Sequence, residues 1–229
     1  MKQHKCYANC IGECSDKMSQ EHYISEKILN LLMGELCYVT GMPWQKEKKF
    51  LAKKALTANV LCVKHNNQLS KLDNAGGSFF ETIYTCTRGG IQGSISTEHL
   101  KFEHNGRDIQ KWMLKLACGA IASGIWGGHH RNVPYEWVKI LFDFKKWPPF
   151  FNLSYIHQRI TYTVPEKDHM KIDFIRDLSN ENLWGVSLVF MPLEITLFFN
   201  DTIDNPENRH PKVIGFENEK KKLEIKIKW

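Results

Sequence analysis

Residues 62–67, with the sequence CVKHNN, decide the fold of this chain because they place two soft metal ligands directly before two amides. Further upstream, residues 6–14 carry three more cysteines in the sequence CYANCIGEC, and Glu21-His22 lies between the two clusters. Thiolates and an imidazole close a tetrahedral structural zinc site. The sequence therefore predicts a zinc ion that joins these distant segments and sets Glu21-His22 beside the helix that carries the amides.

The composition is that of an ordinary globular protein. The 229 residues are 42% hydrophobic and 24% charged, which allows one or two domains with a sizeable apolar core. The formal net charge of +6 is mildly basic, so it permits an anionic partner without requiring one. Composition alone therefore indicates a globular fold and does not identify a partner.

The cysteines and the apolar segments indicate the cellular compartment in which the protein functions. Seven cysteines are an odd number, and the five residues before Cys6 contain no apolar run that would begin a secretory signal. We therefore expect a cytoplasmic protein whose cysteines ligate metal and do not form a disulfide framework. The apolar stretch at residues 112–126 is interrupted by Lys115 and is too short to cross a bilayer, so it predicts a buried helix and no membrane partner.

Residues 1–80 are predicted to form the first domain. Ser25 and Gly34 are favoured residues for beginning and ending a helix, and Asn74-Ala75-Gly76-Gly77 is a typical helix terminator. The residue pattern of this domain predicts, in order, a helix at 25–34, a basic helix at 46–54, a strand at 55–61 and a helix at 63–72.

Residues 100–229 are predicted to form a second domain of helices and antiparallel strands, whose role the sequence does not assign. The clearest helix spans residues 108–123, where Ile109, Trp112 and Leu116 follow the helical period. The other predicted elements are a helix at 134–142 and strands at 160–164, 183–190, 195–199 and 223–229. The fold class is therefore α+β, with a zinc-stabilised finger followed by a mixed domain.

The order and spacing of these residues resemble the zinc-knuckle subgroup of the HNH and endonuclease VII-like nucleases, in the ββα-metal (His-Me finger) superfamily. The resemblance covers roughly residues 6–75 and is carried by Cys6-x3-Cys10, Ser19-Gln20-Glu21-His22 and Cys62-x2-His65-Asn66. It implies a ββα-metal finger whose structural Zn²⁺ is held by Cys6, Cys10, Cys62 and His65. Cys14 remains an alternative upstream ligand, because Cys10-x3-Cys14 repeats the spacing of Cys6-x3-Cys10.

The resemblance also implies catalytic roles for three residues. His22 would act as the general base that takes a proton from the attacking water. Glu21 and Asn66 would hold a catalytic Mg²⁺ or Mn²⁺, with Asn67 as the alternative if the helix phase differs by one residue. The implied enzyme is a DNA endonuclease that hydrolyses phosphodiester bonds and leaves 5′-phosphate and 3′-hydroxyl ends.

A basic run would complete the nucleic-acid site. It is predicted to contact phosphates, although a solvated helix face is an equal alternative, and its residues are Lys46, Lys48, Lys49, Lys53 and Lys54. RNA as a substrate, an activating protein partner and a homo-oligomer all remain open. The resemblance implies a context of bacterial restriction or anti-phage defence. The competing hypotheses are a non-catalytic zinc-finger module that binds nucleic acid and a metal-free interaction protein.

Overall fold

A computed structural model of the protein provides the fold. The residues that it describes are 5–32, 36–39, 47, 49–86, 99–126, 132–149, 151–157, 170–176, 182–190, 193–200, 210–218 and 221–229. The chain divides into two compact units, each built from two segments. Unit 1 comprises Met1–Asn74 and Lys111–Trp147, and unit 2 comprises Ala75–Gln110 and Pro148–Trp229.

This division differs from the predicted domains at residues 1–80 and 100–229. Residues 111–147 belong to unit 1, although they lie within the predicted second domain. Two helices, α2 (Val63–Tyr84) and α3 (Gly106–Ser123), each contribute one end to unit 1 and the other end to unit 2. The boundary at Asn74 lies beside Gly76-Gly77, whereas the boundary at Gln110 lies within α3, where no neighbouring glycine or proline marks it.

Unit 1 places the predicted site on two paired strands and the helix that follows them. Strand β1 (Met18–His22) pairs antiparallel with β4 (Thr57–Cys62), and Met18 lies opposite Cys62 while His22 lies opposite Thr57. Helix α2 begins at the residue after Cys62. The predicted strand before Cys62 and the helix after it are therefore confirmed.

Helix α1 (Glu26–Leu32) begins directly after Ser25, as the sequence predicts. The Ser25 carbonyl accepts hydrogen bonds from the N–H groups of Ile28 and Leu29, while its hydroxyl donates to the Asp73 carbonyl at 3.2 Å. The Ser25 hydroxyl thus links the start of α1 to α2. The proposed helix end at Gly34 lies outside the described residues.

The basic helix predicted at residues 46–54 is wrong for the residues that the structure describes. Strand β3 (Lys49–Ala52) pairs antiparallel with β2 (Leu36–Val39), and a 3-10 turn follows at Lys53–Ala55. Pairing with β2 gives the backbone long-range hydrogen bonds, and local propensity in a short basic run is too weak to compete with them. Lys46 and Lys48 lie outside the described residues.

Helix α2 runs beyond its predicted end at Gly76-Gly77. Glycine in a helix interior costs about 1 kcal/mol relative to alanine, which is the basis of the prediction. Both glycines are buried, and the next turns bury Phe79, Phe80 and Ile83 almost completely. Burying each of these side chains contributes about 1.5–3 kcal/mol, so the helix continues through the glycines.

The other two helices confirm their predictions. Helix α3 begins two residues before the predicted start and buries Ile109, Trp112 and Leu116 on the expected period. Helix α4 (Tyr135–Leu141) begins after Pro134. Among the described residues, each helix is either too short or too polar to cross a bilayer.

The described residues of unit 2 form two sheets. The four-stranded sheet has the order β6 (Asn152–His157), β9 (Leu193–Phe198), β8 (Leu183–Phe190) and β7 (Met170–Arg176), all antiparallel. The three-stranded sheet has the order β10 (Val213–Asn218), β11 (Lys221–Lys228) and β5 (His99–Asn105). The predicted strand at 160–164 lies outside the described residues. The fold is thus mixed α+β, which confirms the predicted fold class.

Strand β11 is the central strand of its sheet, with β10 antiparallel on one side and β5 parallel on the other. Its alternation of lysines with Leu223, Ile225 and Ile227 is typical of a half-buried strand, and Ile225 and Ile227 are indeed buried.

A candidate metal centre and an adjoining ion cluster

Four soft ligands from two distant segments, residues 6–14 and 62–65, come together in unit 1. The Sγ atoms of Cys6, Cys14 and Cys62 and a ring nitrogen of His65 all lie within 4.8 Å of one another. Cys6, Cys62 and His65 are buried, and Cys14 is half-buried. Three thiols and an imidazole form a donor set typical of structural zinc.

The spacing of the four ligands fits one tetrahedral ion. The Nδ1 atom of His65 lies 3.4 Å from the Sγ of Cys6, 3.6 Å from that of Cys14 and 3.3 Å from that of Cys62. Zinc bonds of about 2.3 Å to sulfur and 2.0–2.1 Å to nitrogen place these atoms about 3.5 Å apart in a tetrahedron. The group therefore has the size that zinc requires.

Local backbone geometry brings the upstream ligands together. Cys6 precedes a 3-10 turn at Tyr7–Ile11, and the chain then reverses at Gly12 and Glu13, whose φ angles are 81° and 58°. Positive φ is inexpensive for glycine and uncommon for glutamate. This reversal returns Cys14 to the side of the turn on which Cys6 lies.

The downstream ligands occupy the junction between β4 and α2. Cys62 is the last residue of the strand, and His65 lies in the first turn of the helix. The backbone N–H of Ser15 donates to the Cys62 sulfur at 3.4 Å, and the Ser15 hydroxyl accepts from the N–H of Lys64 at 3.2 Å. The His65 ring also meets Phe142 edge-on, with ring centroids 5.2 Å apart. Hydrogen bonds and packing thus hold both segments in place.

The predicted upstream pair of Cys6 and Cys10 is corrected to Cys6 and Cys14. Cys10 is exposed, and its thiol lies 3.8 Å from the carbonyl oxygen of Tyr7 within the same 3-10 turn. The three cysteines are evenly spaced, so the sequence does not show which two of them supply the upstream ligands. The chain reversal after the turn decides this, because it brings Cys14 and not Cys10 close to Cys6 and His65.

The three thiols differ in how readily they lose a proton. Burial raises the pKa of Cys62, but backbone N–H groups of His65 and Ser15 outweigh it and lower this pKa to about 7. Burial and the neighbouring Cys6 raise the pKa of Cys14 to about 12. Only thiolates ligate zinc, so binding to all three sulfurs releases protons and a cation in the group offsets their mutual repulsion.

A second polar cluster lies beside the end of β1. The Glu21 carboxylate forms an ion pair with the Lys115 ammonium from α3, and the same ammonium lies 2.5 Å from the Asp73 carboxylate of α2. Glu21 is only 9% exposed and Lys115 only 5% exposed, so this is a buried ion cluster. Burial raises the pKa of Glu21, while Lys115 and the Asn66 side chain act in the opposite direction.

Asn66 joins this cluster, whereas Asn67 does not. The amide nitrogen of Asn66 donates to the Ser19 hydroxyl at 2.9 Å, and the Asn66 side chain also hydrogen-bonds Glu21. Asn67 is exposed on the other side of α2. The helix phase therefore brings Glu21 together with Asn66, and the alternative residue Asn67 is excluded from the cluster.

His22 shares a small cavity with Glu21 at the end of β1. The cavity measures about 20 Å³, enough for one water molecule. Glu21, His22, Asp73 and Lys115 line it together with Tyr7, whose hydroxyl is buried. His22 itself is half-buried.

Three residues of this cluster were not predicted from the sequence to belong to the site. Asp73 lies seven residues after Asn66, a spacing that places both on one face of a helix, so the pattern contained a signal for it. Lys115 interrupts an apolar helix, which is a second signal. Tyr7 has no sequence signal, because nothing local indicates that its hydroxyl enters the cavity.

The described lysines of the basic run are spread over a strand and a turn. Lys49 and Lys54 are exposed, and the Lys53 ammonium donates to the Asn30 side chain at 2.6 Å. They are accessible to an anionic partner, but they do not form one helix face.

Comparison with known proteins found no family model, no curated protein and no solved structure that matches this chain.

Proposed function

We propose that this protein is a zinc-stabilised HNH-type endonuclease that hydrolyses phosphodiester bonds of DNA with the help of one divalent cation. The observation that carries the proposal is the contact of the Asn66 amide with the Glu21 carboxylate, next to His22. This contact occurs in two antiparallel strands and a helix, the order expected of a ββα-metal finger. The zinc ligands lie at both ends of the same segment, so zinc would fix the geometry of all three residues.

The oxygen donors fit a hard cation. Glu21 supplies a carboxylate, and the Asn66 amide oxygen is buried without a hydrogen-bond partner among the described residues. Mg²⁺ and Mn²⁺ favour such oxygen ligands, and a cation bound there would neutralise charge that develops on the phosphate. The 2.9 Å contact between the Asn66 amide nitrogen and the Ser19 hydroxyl supports this proposal, because it leaves the amide oxygen available as a ligand.

His22 is the proposed general base. A half-buried imidazole beside a cavity of one-water size can take a proton from water that attacks phosphorus. Exposed Lys49 and Lys54 would contact the phosphate backbone without reading sequence. Restriction or anti-phage defence, cleavage of RNA, and activation by a protein partner or by self-association remain predictions for the same site.

Nicking of supercoiled plasmid in Mg²⁺ or Mn²⁺ tests the proposal. His22→Ala should lower the rate by about 10²–10⁴-fold, because that is the usual contribution of a general base. Asn66→Ala should also abolish nicking, whereas the neighbouring Asn67→Ala should retain it. All three variants should retain zinc and DNA binding. Nicking that persists in purified His22→Ala protein would contradict the assignment.

One observation favours a second candidate, a non-catalytic zinc module that binds nucleic acid. Lys115 already neutralises the Glu21 carboxylate, and an acid that serves only this ion pair needs no metal. In that case the wild-type protein retains DNA but cuts neither plasmid nor single-stranded DNA in either metal, and His22→Ala changes nothing.

A further inference from the structure

The Lys115 ammonium lies between two carboxylates of different elements. It contacts the Glu21 oxygen Oε1 from β1 and the Asp73 oxygen Oδ2 from α2. These two contacts place the carboxylate oxygens at most about 5 Å apart. Oxygen ligands on opposite sides of one Mg²⁺ or Mn²⁺ lie about 4.2 Å apart, and those on one Ca²⁺ up to about 5.2 Å apart. Glu21 and Asp73 could therefore ligate a single cation after sub-ångström shifts.

The charges in the cluster do not balance. Two carboxylates face one ammonium; the Glu21 and Lys115 side chains are at most 11% exposed, and the Asp73 side chain is 31% exposed. An excess of negative charge in a largely buried cluster is costly unless a further positive group, hydrogen-bond donors or solvent offset it. The cluster therefore favours additional positive charge.

Two polar atoms next to the carboxylates also indicate a ligand. The Asn66 oxygen Oδ1 and the Tyr7 hydroxyl are buried, and neither has a hydrogen-bond partner among the residues that the structure describes. The amide nitrogen of the same Asn66 side chain lies 2.9 Å from the Ser19 hydroxyl. The Tyr7 side chain lines the same small cavity as Glu21 and Asp73, where its hydroxyl can bind a water of a hydrated cation. Buried polar atoms of this kind normally have a partner.

We propose that Asp73 is a third ligand of the divalent cation, with Glu21 and Asn66, and that Lys115 competes with the cation for the same two carboxylates. The inference rests on the proposed function for the Glu21 and Asn66 ligands and adds Asp73 and Lys115 to them. Lys115 then sets the concentration of metal that the site requires, because the ammonium must leave the carboxylates when the cation binds.

Titration of the zinc-loaded protein with Mn²⁺, followed by the electron paramagnetic resonance signal of free Mn²⁺, tests this competition without DNA. Lys115→Met should lower the apparent Kd for Mn²⁺ by about tenfold or more, because it removes a positive charge from beside the site. Lys115→Arg keeps the charge and should stay within about twofold of wild type on the same grounds. Asp73→Asn should raise the Kd by about tenfold, whereas the control Asp143→Asn, which removes an acid paired with Lys111, should leave it unchanged.

The proposal is overturned if Lys115→Met binds Mn²⁺ no more tightly than wild type, or if Asp73→Asn binds it equally well. Should Lys115→Met not fold, Asp73→Asn decides alone, because it keeps the ion pair of Glu21 with Lys115. A different result would contradict the proposed nuclease function. If the variants show the expected Mn²⁺ affinities but the wild-type protein never nicks DNA, the metal site is supported and the nuclease function is not.

Discussion

Unit 1 and the four-stranded sheet of unit 2 both bury apolar side chains, but unit 1 also buries charged residues, which the described residues of the sheet lack. Unit 1 buries an acid, two lysines and a histidine, and these residues are Glu21, Lys111, Lys115 and His65. The sheet of unit 2 buries apolar residues on β8 and β9, with only the neutral Ser187 and Thr196 among them. Val186, Leu188 and Leu197 are completely buried there.

This difference indicates which interactions stabilise each unit. Apolar burial stabilises the sheet by about 25 cal/mol per Å² and needs no partner from solution. Buried charges contribute little net stability, because desolvation offsets their attraction. Structural zinc, in contrast, supplies an apparent binding free energy of about 10–16 kcal/mol in small domains. Unit 1 is therefore expected to depend on a metal ion, and unit 2 to be independent of it.

Loss of a zinc ligand should have the largest effect. Cys14→Ser should reduce zinc content and destabilise unit 1 by several kcal/mol, on the order of the binding energy that is lost. Amide hydrogen exchange should then accelerate in β1 and β4 while β8 and β9 stay protected. Cys10→Ser is the matched control, since it removes an exposed cysteine of the same segment and should keep full zinc. Zinc loss in Cys10→Ser with retention in Cys14→Ser would reverse the ligand assignment.

Cys62→Ser extends the same test to the strand that carries the site. Because Cys62 is completely buried at the junction of β4 and α2, its loss should cost folding of unit 1 and not only zinc affinity. Soluble Cys62→Ser protein with wild-type exchange in β1 and β4 would show that the zinc group is not what holds unit 1 together.

A cavity in the sheet should have the next largest effect. Leu188→Ala should destabilise unit 2 by about 2–5 kcal/mol, since it empties a fully buried position. Urea unfolding monitored by exchange in β8 and β9 measures this change, and zinc content should remain at one equivalent. If Leu188→Ala releases zinc as well, the two units unfold together. The expectation that unit 2 is independent of the metal ion would then be wrong.

Gly106→Ala should have a smaller effect, confined to unit 2. A Cβ atom at Gly106 would lie 2.6 Å from the Trp229 ring, so the ring must move. Its displacement would weaken the stacking on His210, at a centroid distance of 4.5 Å, and the hydrogen bond from the indole to the Pro211 carbonyl. We expect a loss of about 1–3 kcal/mol and a shift in tryptophan fluorescence, with no change in zinc. An unchanged emission spectrum would mean that the ring does not lie over this glycine.

The smallest predicted effect is a pH dependence of unit 2. Burial lowers the pKa of His104, which hydrogen-bonds Thr82 at 3.0 Å and packs against Phe79. Below about pH 6.5 the unfolded chain binds a proton that the folded state resists, so unit 2 loses stability as the pH falls from 7.5 to 5.5. His104→Gln should reduce this loss in urea unfolding at the two pH values. An identical pH dependence in the variant would remove His104 as its source.

Sequence patterns predicted the elements whose signals are local. The period of Ile109, Trp112 and Leu116 predicted α3, and the apolar run at residues 183–190 predicted β8. The pattern failed where distant residues decide the outcome. Pairing with β2 makes Lys49–Ala52 a strand, and burial of Phe79 and Phe80 carries α2 through Gly76-Gly77.

The candidate site divides in the same way. The sequence by itself determined the donor types, their order along the chain, and the placement of Glu21, His22 and Asn66 next to a Cys/His group. Only the tertiary structure decided that Cys14 replaces Cys10 and that Lys115 lies between Glu21 and Asp73. The physical reason is the separation along the chain between the residues that form each feature. Helical and strand periods arise from neighbouring residues, whereas a ligand set or a buried ion cluster exists only after chain reversals and helix packing bring distant side chains within bonding distance.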